Sequence, residues 1–287
     1  MLKIIECPRD AMQGLSHFID TDIKINYLNS LLEVGFDTLD FGSFVSEKAI
    51  PQMKDTAEVL EQLDLSNTST KLLAVIAGYG GLKRAIEFDK IDYLGFPLSI
   101  SETFQIRNTK KTIEEALNLV SEAQNLCLQH NKTLVVYLSM AFGNPYKEAY
   151  NAEIVSDFMK KLNALDIKIV QLSDTIGSST PQNIIPLFES LTKEFSNIEI
   201  GAHFHSSLGT ANEKIEAAYQ AGCRRFDGAM LGFGGCPMAK DDLIGNIATE
   251  SILAFTTTKH LKTGLNMNKF DKALIEAKKV FDTKIIV

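Results

Sequence analysis

Short apolar segments alternate with longer amphipathic segments along the whole chain, and this alternation restricts the fold more than any other feature. The apolar segments are rich in β-branched and aliphatic residues and predict strands at 3–7, 38–44, 71–77, 93–97, 133–140, 168–173, 198–205 and 225–231. Amphipathic segments between them predict helices, for example at 23–33, 113–129, 152–165 and 181–195. Strands joined by crossover helices lie parallel, so the sequence predicts an α/β fold.

The number of strand–helix units favours one closed architecture. Eight such units in about 250 residues match the usual length of a (β/α)₈, or TIM, barrel. No stretch rich in Pro, Gly or Ser divides the chain. We therefore predict a single TIM-barrel domain over residues 1–287, with the barrel at about 1–257 and extra carboxyl-terminal helices at about 258–287. An open doubly wound sheet is the alternative.

Charge and hydropathy narrow the range of partners. Lys and Arg number 29 against 36 Asp and Glu, so the net charge is -7. This balance argues against nucleic acid and against an anionic membrane surface, and favours a small metabolite. The longest apolar run, residues 72–77, is far shorter than the roughly 20 residues that span a bilayer, and the amino terminus lacks a signal-peptide core. We expect a cytoplasmic protein.

Polar side chains collect where the predicted strands end, which is where TIM barrels carry their active sites. Arg9 and Asp10 follow the first strand, and Asn246 follows the eighth. His203 and His205 end the seventh strand and are two residues apart, so both side chains leave on the same face.

Barrel closure brings the seventh, eighth and first strands together, which allows these side chains to converge on one divalent ion. The predicted ligands are Asp10, His203, His205 and Asn246. Nitrogen and oxygen donors without a thiolate suit Mg²⁺ or Mn²⁺, although Zn²⁺, Co²⁺ or Fe²⁺ also fit. Packing with a hydrogen bond is the alternative explanation of an isolated HxH pair. Arg9 lies at the same barrel mouth, where its charge would stabilise an oxyanion.

A glycine-rich loop follows the eighth strand. It contains Gly234, Gly235 and Cys236, and glycines permit backbone shapes that other residues resist. Because the loop lies beside the predicted metal site, we interpret it as a movable lid that carries a thiol. An incidental cysteine in a tight turn is the alternative. The other three cysteines, Cys7, Cys127 and Cys223, are predicted to be packing residues, and glycines 78, 80 and 81 are too weak a signal for a phosphate site.

Several segments together resemble a known family. The chain is similar to 3-hydroxy-3-methylglutaryl-CoA lyases in ECPRDAMQ, GSFVSEKAIPQM, SDTIG, HFH, GFGGCPMAK and GNIATE, across about residues 4–268. The RD and HxH motifs also occur in the wider superfamily of metal-dependent barrel lyases and synthases, whereas the GGCP loop is more specific.

The resemblance implies a role for each matching residue. It implies metal ligation by Asp10, His203, His205 and Asn246, with Arg9 and Asp10 catalytic and Cys236 a catalytic loop thiol. The positions that match motifs lining or supporting the site are Gln13, Asp40, Ser43, Asp174, Gly234, Gly235 and Glu250. The implied reaction cleaves 3-hydroxy-3-methylglutaryl-CoA to acetyl-CoA and acetoacetate, in a homodimer or other homo-oligomer. Asp10 is the candidate base, with Asp174 or water in reserve.

Three alternatives stay open. A Claisen-type synthase of the same superfamily would share the metal but would not need the loop thiol, and many such synthases carry a long extension that this chain lacks. A related 3-hydroxyacyl-CoA would also fit, because Asp40, Ser206 and Met238 depart from the residues usual in these lyases. A barrel that binds metal or acyl-CoA without turnover is disfavoured by the intact set of catalytic residues.

Overall fold

The computed structural model describes residues 1–207, 209–235 and 244–281. Eight parallel strands form a closed barrel in the order β1 to β8, and β8 pairs with β1. The predicted TIM barrel is therefore confirmed, and the open-sheet alternative is wrong. The strands are β1 (Lys3–Glu6), β2 (Thr38–Ser43), β3 (Lys71–Val75), β4 (Tyr93–Ser99), β5 (Thr133–Ser139), β6 (Ile169–Asp174), β7 (Glu199–Phe204) and β8 (Arg225–Gly228).

Helices surround the barrel and connect consecutive strands. In the described residues they are α1 (Pro8–Gln13), α2 (Thr21–Leu32), α3 (Thr56–Glu61), α4 (Tyr79–Ile86), α5 (Glu102–Thr109), α6 (Ile113–Gln129), α7 (Ala152–Ala164), α8 (Pro181–Glu194), α9 (Ala211–Gln220), α10 (Thr249–Thr258) and α11 (Met267–Phe281). None of the helices in this part of the chain is long and apolar enough to cross a membrane.

Strand β5 shows how the sequence pattern produces two layers of packing. Leu134, Val136 and Leu138 face outward and join the large cluster between the barrel and its helices. Val135 and Tyr137 alternate with them and face the barrel interior. The strand is buried on both faces, as expected for a parallel barrel, and therefore reads as a continuous apolar run.

Helix starts follow local capping chemistry. In α6, the Thr112 side chain accepts a hydrogen bond from the Glu115 amide (3.1 Å), and the Glu115 carboxylate accepts one from the Thr112 amide (2.8 Å). This capping box satisfies amides that have no partner inside the helix. Cys127 lies on the buried face of the same helix, as predicted for a packing residue.

The strand boundaries differ from the prediction by one to three residues, and the differences after β1 and β8 affect the site. Arg9 and Asp10 follow β1, as predicted, and lie in α1, because Pro8 starts a helix soon after this strand. Strand β8 ends at Gly228, and residues 230–232 form a 3₁₀ turn in which Leu231 has a φ of 65°. Helix α1 and this 3₁₀ turn both lie at the carboxyl ends of the strands, where they contact each other.

The segment after the barrel packs back against α2. In the described residues it contains one helix beyond residue 258, α11, which packs along α2. The Asn266 amide donates to the Val34 carbonyl (2.9 Å) where this segment reaches the end of α2. The last helix is thus part of the packed molecule.

Candidate active site

A cavity of about 860 Å³ opens at the carboxyl ends of the strands. Its inner end is lined by Arg9, Asp10, His203 and His205, and its walls include strand-end residues such as Ser173. This is the end of the barrel at which the sequence predicts the chemistry. The cavity is large enough for a sizeable organic substrate.

Three of the predicted metal ligands meet at the inner end of this cavity. Asp10, His203 and His205 are buried, and their ligand atoms lie within 4.8 Å of one another. His203 lies in β7, and His205 follows this strand and forms an antiparallel bridge with Asn246. Phe204 points to the opposite face and packs against Phe142 at 5.5 Å between ring centroids. Because successive residues of a strand face opposite sides, the two histidines face the cavity and Phe204 packs outside the barrel.

His203 is oriented by a buried carboxylate. Its Nδ1 atom lies 2.9 Å from Oδ2 of Asp227 in β8, and the other oxygen of Asp227 accepts a hydrogen bond from the Gln171 amide. Burial lowers the pKa of His203, but the hydrogen bond and charge of Asp227 outweigh burial and leave the pKa raised. Engagement of Nδ1 by Asp227 leaves Nε2 of His203 as the atom for a ligand.

His205 is a neutral imidazole with a free lone pair. Its Nδ1 atom is 3.0 Å from the Thr175 carbonyl, and because a carbonyl only accepts, Nδ1 carries the proton. Burial and the neighbouring His203 lower the pKa of His205 to about 4. Its Nε2 atom is buried without a hydrogen-bond partner in the described part of the chain. A buried acceptor of this kind fits a metal ion.

Asn246 joins the same group through its amide nitrogen. Nδ2 donates to Oδ2 of Asp10 (2.6 Å) and to the Phe233 carbonyl (3.0 Å), which fixes the amide and leaves Oδ1 available. The loop backbone approaches closely: a Cβ atom on Gly234 would lie 2.3 Å from this nitrogen, and the φ of Gly234 is 110°. Glycine is therefore required at this position. Gly235 shares the positive φ, at 130°.

Asp10 is ionised and held at both oxygens. Its Oδ1 accepts from Arg9 (3.0 Å) and from the Gln13 amide (2.6 Å). Burial raises the pKa of Asp10, but Arg9 and both histidines outweigh burial and lower it. A carboxylate with a lowered pKa is a good cation ligand and a weak general base.

Arg9 is clamped by Asp40 and directed toward the cavity. Its Nε and Nη2 atoms donate to Asp40 at 2.5–3.1 Å, and Nη1 donates to Asp10 and to Gln13, each at 3.0 Å. These contacts, all within the described residues, leave one Nη2 hydrogen for a further acceptor. The carboxylates raise the pKa of Arg9 against the effect of burial, so the guanidinium stays charged. Asp40 thus orients Arg9.

Asp174 lies behind the wall formed by its neighbours Ser173 and Thr175. One of its oxygens accepts from Lys214 Nζ (2.9 Å) and from the Ser179 amide (3.0 Å). Lys214 also donates to the carbonyls of Gly177 (3.0 Å) and His205 (2.9 Å), so its three hydrogens are all used. Asp174 therefore supports the His205 segment and is not presented to the cavity as a base.

Replacing Lys214 by methionine is expected to destabilise the fold by about 3–5 kcal/mol, because it leaves the Asp174 carboxylate buried without its cation. Urea unfolding followed by circular dichroism measures the change. Lys160→Met is the control, since the Lys160–Asp157 pair is more than half exposed on both sides and should contribute at most about 1 kcal/mol. Equal losses in the two variants would contradict a structural role for the buried pair.

The other predicted support residues hold the loops around the site. Ser43 lines the cavity, and its hydroxyl donates to the Val75 carbonyl (3.1 Å). Glu250 accepts from the Leu231 amide (3.2 Å) at the start of the glycine-rich loop. Cys236, the predicted catalytic thiol, lies outside the described residues.

No sequence pattern indicates two buried acids that lie beside the site. Asp227 orients His203, and Glu6 accepts from the Met230 amide (2.7 Å) and from the Thr249 hydroxyl. Burial raises the pKa of Glu6 to about 8. Cys7 also lies within 4.8 Å of His203 and Asp227, but Nδ1 of His203 is already engaged by Asp227.

A basic rim at the outer end of the cavity was also missed. It consists of Lys48, Arg84, Arg107, Lys110 and Lys111, and Glu47 is the acidic side chain in this part of the lining. Gly78, Gly80 and Gly81 line the same region, where a Cβ atom on Gly81 would lie 2.3 Å from the Phe44 carbonyl oxygen. The basic residues come from three separate segments of the chain, so no local sequence motif indicates that they lie together.

Comparisons with known proteins find relatives that match most of the chain. A hydroxymethylglutaryl-CoA lyase of Bacillus subtilis is 32% identical over 278 residues, which cover 97% of this chain and 91% of the relative. A cytoplasmic 3-hydroxy-3-methylglutaryl-CoA lyase of Rattus norvegicus is 31% identical over 273 residues, covering 95% of this chain and 79% of the relative.

Solved structures show the same architecture. The structure of an HMG-CoA lyase of Acinetobacter baumannii in complex with coenzyme A and 3-methylmalate matches with a TM-score of 0.90 and 27% identity, covering 98% of this chain and 91% of that one. The family model described as HMGL-like matches residues 2–275. With nearly the whole chain matched and the fold shared, the protein belongs to the HMGL-like family of lyases.

Proposed function

We propose that this enzyme cleaves 3-hydroxy-3-methylglutaryl-CoA to acetyl-CoA and acetoacetate with the help of a divalent cation. The observation that carries the proposal is the meeting of Asp10, His203 and His205 with Arg9 at the inner end of one cavity. An ion-ligand group and a fixed cation are the two parts that a retro-Claisen cleavage requires. The relatives with this activity match almost the whole chain.

The residues present fit a divalent cation. Nε2 of His205 is a buried acceptor without a partner in the described residues, and Asp10 is ionised beside it. Asp10, His203, His205 and Asn246 would hold Mg²⁺ or Mn²⁺, while Zn²⁺ or Co²⁺ would fit the same donors. When bound, the ion would supply Lewis-acid polarisation of the substrate oxygens.

The chain's own groups account for the charges and protons of the reaction. Removal of the C3 hydroxyl proton lets the C2–C3 bond break: C3 becomes the ketone of acetoacetate, and the electron pair passes into the thioester as the enolate of acetyl-CoA. The lowered pKa of Asp10 makes it a ligand more than a base, so a water held beside it is the better acceptor for the hydroxyl proton. The remaining Nη2 hydrogen of Arg9 would bind the enolate oxygen. The Cys236 thiol would then protonate the enolate carbon.

The basic rim would bind the other end of the substrate. Coenzyme A carries a diphosphate and a ribose phosphate, and the cationic side chains of the rim suit such anions. The related Acinetobacter baumannii enzyme was solved with coenzyme A. The substrate would therefore lie with its acyl group at the histidines and its phosphates at the rim.

A cytoplasmic location and a homo-oligomeric state stay predictions.

Acetoacetate release tests the proposed function directly. Purified protein is incubated with 3-hydroxy-3-methylglutaryl-CoA and Mg²⁺ or Mn²⁺, and in parallel after treatment with a chelator. We expect acetoacetate only with the cation, and recovery of activity when the cation is restored. Full activity in protein shown to be metal-free would refute the cation requirement. Condensation of acetyl-CoA with a 2-oxo acid, without cleavage, would identify a synthase instead.

Replacing Asp227 by asparagine is expected to weaken Mn²⁺ binding by about 10- to 100-fold, because the His203 imidazole loses the carboxylate that orients it and increases its basicity. Electron paramagnetic resonance of free Mn²⁺ during titration measures the affinity. Asp157→Asn is the control, since Asp157 pairs with Lys160 on the surface of α7. Unchanged Mn²⁺ affinity in a folded Asp227→Asn protein would show that Asp227 does not support the ligand.

A further inference from the structure

We propose that Phe281, in the last helix, is a positioning residue for the ion ligand Asn246 and acts through Phe233. The proposal rests on the cation site of the proposed function. Phe281 lies in α11, outside the barrel, and does not line the cavity. It would connect the carboxyl-terminal helix to a site that also contains Asp10, near the amino-terminal end of the sequence.

Two aromatic rings form the first link. The rings of Phe233 and Phe281 stack at 4.5 Å between centroids with an angle of 8° between their planes. Tyr27 of α2 packs edge-on against the ring of Phe281, at 6.1 Å between centroids and 88° between planes. Phe281 is only 4% exposed, whereas Phe233 is 38% exposed. The ring of Phe233 is thus anchored on one face by a residue that is itself buried.

The backbone of Phe233 forms the second link. Its carbonyl accepts one of the two Asn246 amide hydrogens (3.0 Å), and Asp10 accepts the other (2.6 Å). If the carbonyl moved away, one amide hydrogen would lose its acceptor, and only the bond to Asp10 would still orient the amide. The direction of Oδ1, the atom that would bind the ion, therefore depends on where the Phe233 backbone lies.

The segment that carries Phe233 is not held by regular secondary structure. Positive φ angles occur at Leu231 (65°), Gly232 (70°) and Gly234 (110°). The Met230 and Leu231 amides are held by Glu6 and Glu250, and the Gly232 amide donates to the Ala229 carbonyl (2.9 Å). These bonds lie one to three residues before Phe233, and none of them holds the Phe233 side chain. At Phe233 itself, the described contacts are the ring stack on Phe281 and the hydrogen bond from Asn246 to the carbonyl. The stack is therefore the contact that holds Phe233 from outside the site.

Helix α11 is well placed to act as a fixed support. Phe270, Ala273, Ala277 and Val280 are buried on the face that also carries Phe281, and α11 packs along α2. Its position is therefore set by packing that is independent of the active site. The inference deepens the proposed ion site by assigning part of its geometry to the tail of the chain.

Variants of the full-length protein test this link through Mn²⁺ affinity measured by electron paramagnetic resonance without substrate. Phe281→Ala removes the aromatic pair that stabilises the position of Phe233. From the usual strength of such a pair, Mn²⁺ binding should weaken by about 3- to 10-fold. Phe281→Leu keeps an apolar side chain in the pocket and should fold like the parent, yet it should also bind Mn²⁺ more weakly. Phe281→Tyr keeps the ring and should retain the parent affinity.

Phe270→Ala is the matched control, because it removes an equally buried ring from the same helix. We expect it to lower the thermal midpoint and to leave Mn²⁺ affinity unchanged. Equal weakening by Phe270→Ala and Phe281→Ala would overturn the proposal, as would parent-like affinity in both Phe281→Ala and Phe281→Leu.

The experiment separates this inference from the proposed reaction. If the parent binds Mn²⁺ but releases no acetoacetate, the proposed function fails, while the comparison of variants still decides the role of Phe281. If the parent does not bind Mn²⁺ at all, both proposals are overturned.

Discussion

An Arg9→Gln enzyme is expected to lose about 10² or more in kcat while its KM stays close to that of the parent. Asp40 and Asp10 hold the Arg9 guanidinium beside the cavity and leave one Nη2 hydrogen unused by the described residues. That hydrogen would meet negative charge that appears only when the carbon–carbon bond breaks. Glutamine removes the charge, so the enolate loses its stabilisation while the bound substrate loses little.

Steady-state kinetics with varied substrate separate the two parameters. Since Arg9→Gln also leaves Asp40 buried beside no cation, thermal unfolding must be measured alongside, and the double variant Arg9→Gln/Asp40→Asn removes the stranded charge. The double variant should recover stability and remain slow. A raised KM at normal kcat would make Arg9 a substrate-binding residue instead.

A Cys236→Ser enzyme is expected to lose roughly 10² to 10⁴ in the rate of cleavage, the usual loss when a general acid is removed. Serine is nearly the same size as cysteine, but its hydroxyl is a far weaker acid than a thiol. Mn²⁺ affinity and substrate affinity should stay close to those of the parent. Single-turnover measurements of acetoacetate report the chemical step.

Selective alkylation gives an independent measurement for the same thiol. Cys7, Cys127 and Cys223 are buried, and burial raises the pKa of Cys127 and Cys223 to about 12 and raises that of Cys7 well above its usual value. Iodoacetamide should therefore modify Cys236 first in the native protein, and substrate should protect it. Cleavage at the parent rate by Cys236→Ser would show that the loop cysteine is incidental and would favour a synthase.

The fold and the grouping of the proposed ion ligands could be predicted because both follow from periodicity and strand order. The alternation of strands and helices identified the barrel, and a strand places His203 and His205 on one face whatever the surrounding sequence. Closure of the barrel then brings Asp10 to Asn246, although 236 residues separate them. These predictions needed only the direction and order of the strands.

The supporting residues could not be predicted because each acts alone and through a distant partner. Asp227 is a single acid within β8, and its meaning comes from the 2.9 Å contact with His203. Lys214 looks like an ordinary charged residue of an amphipathic helix until Asp174 is found beneath it. Phe233 and Phe281 belong to a loop and a tail that share no pattern. Tertiary packing alone creates these pairs.

Closure of the barrel between β8 and β1 has a consequence for how the chain matures. Asp10 follows the first strand and Asn246 the last, so a nascent chain still missing β8 would hold only part of the predicted ligand set. A cation at about 100 times its dissociation constant would add about 2.7 kcal/mol to the closed form, less whatever it contributes to a chain that binds it with the partial set. A cation held by the full set would therefore stabilise the joined edges of β8 and β1.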